Sequence, residues 1–214
     1  MRPPPDYPEL LARLDAWQQD VRERFPGVVP CRSGCSACCH GPFDISAADT
    51  VVVREGVASL PYPVRAAVEE RARMQVGRMA RMEPGFEFPW DVSRMAESRL
   101  DALGDAQAGE PCPALDSEGR CLIYERRPMI CRMMGLGMRT ASGAGLANGC
   151  PIRDDFPAYR DLPLQEFDLE RWEQEERSAL EAAGRQLFPE APNPEFETTI
   201  AGAILLAAPE PWRT

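Results

Sequence analysis

Residues 31–41 read CRSGCSACCHG, four cysteines and the chain's single histidine within eleven positions. Disulfides, one metal ion, two metal ions or an iron–sulfur cluster could each use so dense a set of thiols. The answer decides the fold, because each alternative demands a different architecture around the loop. The stretch is also only half of a pattern. Cys31-x3-Cys35-x2-Cys38-Cys39 is followed far downstream by Cys112, Cys121, Cys131 and Cys150, which complete the eight cysteines of the chain. Both groups lie among glycines and prolines, whereas buried structural cysteines normally occur singly at core positions.

Disulfides fit poorly. Cys38 and Cys39 are adjacent, so their Cα atoms lie about 3.8 Å apart, short of the roughly 4.4–6.8 Å that an ordinary disulfide spans. Four bridges among the eight cysteines remain arithmetically open. The chain does not need them, since 214 residues with 44% hydrophobic side chains can bury a sizeable core. Short secreted scaffolds, by contrast, depend on cross-links. The stretch MRPPPDYPELLARLDAW has no basic segment followed by an apolar one, so no secretory signal is expected. The apolar run IAGAILLAA at 200–208 is too short to span a bilayer. The expected location is cytoplasmic, where thiols are kept reduced.

Metal binding fits better. Cys35-x2-Cys38 is a spacing that folds two thiolates onto one centre, and Cys31 adds a third from one turn earlier. Soft thiolate sets select zinc, iron–sulfur clusters or Cu(I) over magnesium and calcium. If locally helical, Cys38 and Cys39 point roughly 100° apart, which suits two neighbouring centres, or a cluster and a spare thiol, better than one small ion. Eight cysteines would also make up two separate four-cysteine sites. Structural zinc usually takes two close cysteine pairs, and the second group contains no C-x2-C. Three clustered cysteines with a distant fourth are closer to iron–sulfur ligation, and Cys112-Pro113 and Cys150-Pro151 repeat the C-P step of a ferredoxin run. An iron–sulfur cluster is therefore the favoured cofactor and zinc the alternative.

The candidate metal ligands are Cys31, Cys35, Cys38, Cys39, Cys112, Cys121, Cys131 and Cys150, with His40 as a further candidate that could equally be a solvated loop residue. Arg127 and Arg132 flank Cys131. They are candidates to donate N–H groups toward thiolate or sulfide and offset its charge, against the plainer reading of an ion pair with Glu125.

The charge pattern excludes some functions. The formal net charge is −10, all 24 basic residues are arginine, and no basic run interrupts the acidic balance. A nucleic acid or an anionic membrane is therefore not an expected partner; an electron-transfer or other protein partner is. Without lysine, no P-loop lysine, Schiff-base lysine or lysine general base can exist.

Periodicity predicts a mainly α fold. Leu10, Leu11, Leu14, Trp17 and Val21 mark a helix over 8–24. Ser46 with Asp49 marks the start of a second, running to about Ala58, although Val51–Val53 also suits a strand. Pro63 opens a third over about 63–82, with Val64, Val68, Val76 and Met79 inward and Arg71, Arg78 and Arg81 toward solvent. EPGFEFPW at 83–90 reads as a loop. A fourth helix is expected over 91–104, with Met95, Leu100 and Leu103 as contacts. CLIY at 121–124 reads as a short strand paired near Ala114–Leu115 across a DSEG turn. RPMICRMM begins a short helix, and 141–149 reads as flexible. An acidic helix over 164–187 and an apolar one over 194–207 complete the chain. The expected architecture is an irregular cysteine-rich metal-binding region, with at most a small two-stranded β element, packed by several helices. Residues 1–160 would form the cysteine-cluster domain with its N-terminal helices, and 161–214 a helical extension packed on it.

Cys31-x3-Cys35-x2-Cys38 resembles the cluster signature of radical S-adenosylmethionine enzymes, but Ala37 stands where they usually carry an aromatic. The strand–helix alternation their barrel needs is also missing. A fuller resemblance covers Cys31–Cys39 and Cys112–Arg132, with Cys150 trailing. CxxxCxxCC followed by CPAL and GRCLIYERRPMICR is similar to the YkgJ-type cysteine-cluster family of zinc- or iron-chelating domains, often labelled Fe–S oxidoreductases. The resemblance implies that all eight cysteines converge on metal. A similar cluster in flagellin lysine N-methylases implies redox or methyl-transfer chemistry in some relatives. The expected function is a redox or catalytic Fe–S protein, an oxidoreductase or cluster-dependent transferase. The alternatives are a zinc-stabilised interaction module and a thiolate metal-handling protein.

Overall fold

The computed structural model describes residues 7–206. Its first helix, α1 (Tyr7–Arg24), buries Leu10, Leu11, Leu14 and Val21 on one face. After the cysteine loop, strand β1 (Asp44–Ser46) runs directly into α2 (Ala47–Ala58). The Ser46 hydroxyl accepts the Asp49 N–H at 3.2 Å, the capping contact expected from the sequence. Helix α3 (Tyr62–Met82) carries Pro63 in its first turn, where a missing N–H goes unnoticed. Helix α4 (Glu97–Ala106) starts later than residue 91. The Asp91 carboxylate accepts the Ser93 N–H and Val92 O accepts the Met95 N–H, both at 2.9 Å, and such local turn bonds compete with helix.

The second cysteine segment is more irregular than a strand pair. Leu115 and Cys121 form one antiparallel bridge, but Tyr124–Arg126 turns at once into a 3-10 helix. Helix α5 (Met129–Met133) carries Cys131. Strand β2 (Met138–Arg139) pairs antiparallel with β3 (Gly145–Leu146) and parallel with β4 (Gln165–Glu166), which follows the single-turn helix α6 (Pro157–Arg160). Part of the 141–149 stretch is thus held in a sheet. Helix α7 (Leu169–Leu187) begins only after β4, and its N-cap Asp168 accepts the Arg171 N–H at 3.0 Å. Strand β5 (Glu197–Thr199) pairs antiparallel with β1 and leads into α8 (Ile200–Leu206). Ala207 and Ala208 of the apolar run lie outside the described residues. Among the described residues the fold is mainly α, with one two-stranded and one three-stranded sheet. No described helix is long and apolar enough to cross a membrane.

Helix α2 stands between two apolar clusters. In one, Val53 and Val57 pack with Val68, Ala72, Val76 and Met79 of α3 and with Ala201 and Ile204 of α8. In the other, Ala47, Ala48, Val51 and Val52 pack with Tyr7, Leu10, Leu11 and Leu14 of α1 and with Trp172, Ala179 and Ala183 of α7. Burial therefore decides the ambiguous Val51–Val53 run. Each buried side chain contributes about 1.5–3 kcal/mol, more than the ~0.7 kcal/mol that a poor helix former loses.

The first cluster reaches the cysteines, since Cys112, Cys121 and Cys131 pack against it. The polar side of α3 is not simply solvated. Arg71 Nε donates to Pro113 O at 2.9 Å, and Arg78 pairs with Glu110 at 2.7 Å, so α3 holds the chain as it enters Cys112. Gly56 lets α2 meet the segment after Cys121, because a Cβ there would stand 2.8 Å from Arg126 Cβ and 3.1 Å from Ile123 Cβ. Gly56→Val is expected to destabilise the protein by about 1–3 kcal/mol, read as a lower urea midpoint. An unchanged midpoint would show that the 121–126 segment yields freely.

Candidate metal centre

The first cysteine group is shaped by consecutive turns. Arg32 O accepts the Cys35 N–H and Ser36 O accepts the Cys39 N–H, each at 2.9 Å. The loop then pairs with the start of the second group. The Cys112 N–H reaches Cys39 O at 2.9 Å, and the Gly41 N–H reaches Glu110 O at 2.7 Å. These two bonds bring together cysteines more than seventy positions apart in the sequence. The DSEG turn is tied by Asp116, whose carboxylate accepts the Glu118 and Arg120 N–H groups at 2.9 and 2.8 Å. It presents Cys121. Cys131 is set by α5, whose first N–H, on Met129, donates to the buried Asp49 carboxylate of α2 at 2.9 Å.

These contacts place seven of the eight free cysteines around one partly open cavity, Cys31, Cys35, Cys38, Cys39, Cys112, Cys121 and Cys131. Its remaining walls are largely apolar, with Phe43, Ile123, Ile130 and Met134 among them, and Arg32 and Arg127 are the arginines on its border. The free space is about 50 Å³. One water needs roughly 10–15 Å³ of such space, so the cavity accommodates a few atoms and not an organic cofactor. Among the described residues, no three Cys, His, Asp or Glu side chains already stand in a closed metal-binding arrangement.

The thiols are held as acids. Burial pushes the Cys112 thiol up to about 12, against partial relief from the Ala114 N–H. Burial raises Cys131 well above its ordinary value, and the neighbouring Cys112 and Cys121 add to the effect. Cys31 and Cys121 are also raised, chiefly by burial. Cys38 is raised first by its hydrogen bond with the Cys39 thiol and then by burial. The expectation that Cys38 and Cys39 point apart supposed a local helix; the loop is built of turns, and both residues line the same cavity. Uncharged thiols in an apolar wall avoid the desolvation cost of thiolates. A cation entering the site would displace their protons.

Arg127 opposes these upward shifts at Cys31, Cys38 and Cys121. It is fixed in place by stacking 3.7 Å over the Tyr124 ring, by a 2.9 Å hydrogen bond from its Nε to Tyr124 O, and by Asp15 of α1 at 3.6 Å. Arg132 is differently placed. It is buried, donates to Arg127 O and Glu125 O at 3.0 Å each, and pairs with Asp15. It therefore braces the loop that holds Arg127 and does not line the cavity. His40 is exposed and also off the cavity wall. Cys150 lies outside the cavity lining, with its N–H on Asn148 Oδ1 at 3.0 Å. Asp15 and Arg22 of α1, and Tyr159 of α6, are near the thiols or their arginines without belonging to the cysteine pattern. No local motif marks them in the sequence.

Residues 30–150, more than half the chain, match the family model CxxCxxCC, described as "Putative zinc- or iron-chelating domain". No curated protein and no solved structure matches the chain.

Proposed function

Because the chain belongs to the zinc- or iron-chelating CxxCxxCC family, we propose that it is an iron–sulfur protein with a redox or cluster-dependent catalytic role. The observation that carries this reading is the convergence of seven thiols on one narrow, mostly apolar cavity. A tetrahedral zinc ion and an iron–sulfur cluster each take four protein ligands, so seven thiols in one cavity suit a pair of centres or a cluster with thiols in reserve, and the close triplet Cys31, Cys35 and Cys38 favours iron–sulfur ligation. The donor set fits, since iron–sulfur clusters are held by cysteine thiolates, and the charge of Arg127 favours the thiolate form at Cys31, Cys38 and Cys121. Cys31, Cys35 and Cys38 would hold one side of the group, and Cys39, Cys112, Cys121 and Cys131 the other. When bound, a cluster supplies one-electron transfer or an open iron for substrate. The apolar walls would restrict water, and the expected partner is an electron-transfer protein in the cytoplasm.

Anaerobic expression with added iron, followed by visible spectroscopy and analysis of iron, zinc and acid-labile sulfide, tests the proposal. Brown protein with iron and sulfide in similar amounts is expected. Colourless protein containing only stoichiometric zinc would overturn it in favour of a zinc-stabilised module.

A further inference from the structure

Cys150 and Cys31 come from opposite ends of the cysteine pattern, yet one buried hydroxyl serves both. Tyr159, in the single turn of α6, is 1% exposed. Its hydroxyl donates to Gly135 O and has Asn148 Oδ1 at 3.4 Å as a second acceptor. That same Oδ1 accepts the Cys150 N–H at 3.0 Å, which ties the Cys150 backbone to the side chain that faces the Tyr159 hydroxyl. Gly135, with φ at +95°, leaves the other side open. A Cβ there would lie 3.3 Å from the Tyr159 hydroxyl oxygen and 3.4 Å from Cys31 Sγ. The hydroxyl, the Cys31 sulfur and the Cys150 segment thus converge on the glycine backbone, at the edge of the cavity that Cys31 lines.

We propose that Tyr159 is a positioning residue of the metal centre: its hydroxyl holds Cys150 beside Cys31, so that the two sulfurs act as a ligand pair with a phenolic O–H directed at them. The chemistry follows from the donor inventory. A phenol has one proton to donate, and beside neutral thiols Gly135 O takes it. A metal-bound thiolate is a charged and therefore stronger acceptor, and Cys31 Sγ borders the same glycine position as the hydroxyl. Such outer contacts fix ligand orientation, and losing one typically lowers metal affinity about 10–100-fold. Tyr159 lies beyond the residues matched by the family model, so the chain after 150 would supply an outer contact to the centre that the matched segment does not contain. The inference rests on the reading of the thiols as metal ligands, and not on whether the metal is iron or zinc.

The test is anaerobic titration of the full chain with Co2+, read by the thiolate-to-cobalt charge-transfer absorption and by competition with a chelator. Tyr159→Phe keeps the buried ring and removes only the hydroxyl. It is expected to weaken Co2+ retention about 10–100-fold and to shift the charge-transfer band. In a Cys150→Ser background the same substitution is expected to add nothing. Asn148→Ala, which leaves Tyr159 intact, is expected to cause a smaller loss that also disappears in the Cys150→Ser background. Equal retention and an identical spectrum in wild type and Tyr159→Phe would overturn the role of Tyr159 alone. So would a Tyr159→Phe loss that persists in full without Cys150. A wild-type protein with no thiolate-to-cobalt band would overturn both this inference and the metal-binding reading beneath it.

Discussion

Removing metal with a chelator under reducing conditions, or replacing Cys131 with serine, is expected to lower the thermal midpoint by about 10–20 °C. At the 2–4 °C per kcal/mol typical of chains this long, that corresponds to roughly 5 kcal/mol. Structural zinc in small domains contributes about 10–16 kcal/mol, so the smaller figure assumes that much of this fold stands without metal. The assumption comes from packing. The cluster of α1, α2 and α7 contains no cysteine, and that of α2, α3 and α8 meets Cys112, Cys121 and Cys131 only at its edge. Loss of metal would leave protonated thiols around about 50 Å³ of space, which at roughly 24 cal/mol per Å³ costs only about 1 kcal/mol as a cavity. The larger loss is the metal–thiolate bonding itself. Far-UV circular dichroism should therefore change little at 20 °C, while hydrogen exchange accelerates across 107–150. The pH dependence has a definite sign. Each thiol proton displaced on binding raises apparent affinity about tenfold per pH unit below its pKa, and burial holds Cys112 up to about 12, so retention strengthens as pH rises. Coincident melting curves for metal-loaded and stripped protein would refute the prediction.

A second large effect is expected at Asp49. This carboxyl is 3% exposed and accepts hydrogen bonds from the Tyr7 hydroxyl at 2.7 Å and the Met129 N–H at 2.9 Å. Burial pushes it up to about 7; the bonds from Tyr7 and Met129 and the charge of Arg132 pull the other way, and Glu176 adds to the rise. An ordinary Asp titrates near 3.9. Between about pH 4 and 7 the folded protein therefore binds a proton that the unfolded chain has released. Stability at this site then falls as pH rises through that window and is flat above it, with a span of at most ~4 kcal/mol. Glu176, also raised by burial, works in the same direction. Asp49→Asn keeps an acceptor for Tyr7 and Met129 but cannot ionise. Urea unfolding from pH 5 to 8 should show it gaining on wild type as pH rises, by about 2–4 kcal/mol at pH 8. Parallel pH profiles for the two proteins would show that Asp49 does not titrate in this window. Because metal retention changes with pH in the opposite sense, the comparison is made at matched metal content.

The elements legible in the sequence were those with local causes. The leucine spacing of α1, the Ser46–Asp49 cap of α2 and Pro63 in α3 act within one or two turns, and the expected boundaries agree closely with the observed ones. Helices α7 and α8 start later than expected because Gln165–Glu166 and Glu197–Thr199 pair with strands distant in the chain. Nothing within a helical window reports such pairing. The strand expected at 121–124 became a bridge and a 3-10 turn, since the Asp116 side chain closes the turn on its own backbone.

The same division runs through the site. Thiol chemistry is set by residue type, so the order of residues alone establishes which soft donors the chain carries and that they fall in two groups. Their arrangement came from the folded chain. Folding put Cys38 and Cys39 on one wall, left Cys150 out of the cavity lining, and set Arg127, not Arg132, among the thiols. It also brought in Asp15 from α1 and Tyr159 from α6. Those placements depend on hydrogen bonds and packing between segments many residues apart, which meet around α2 and its two cores.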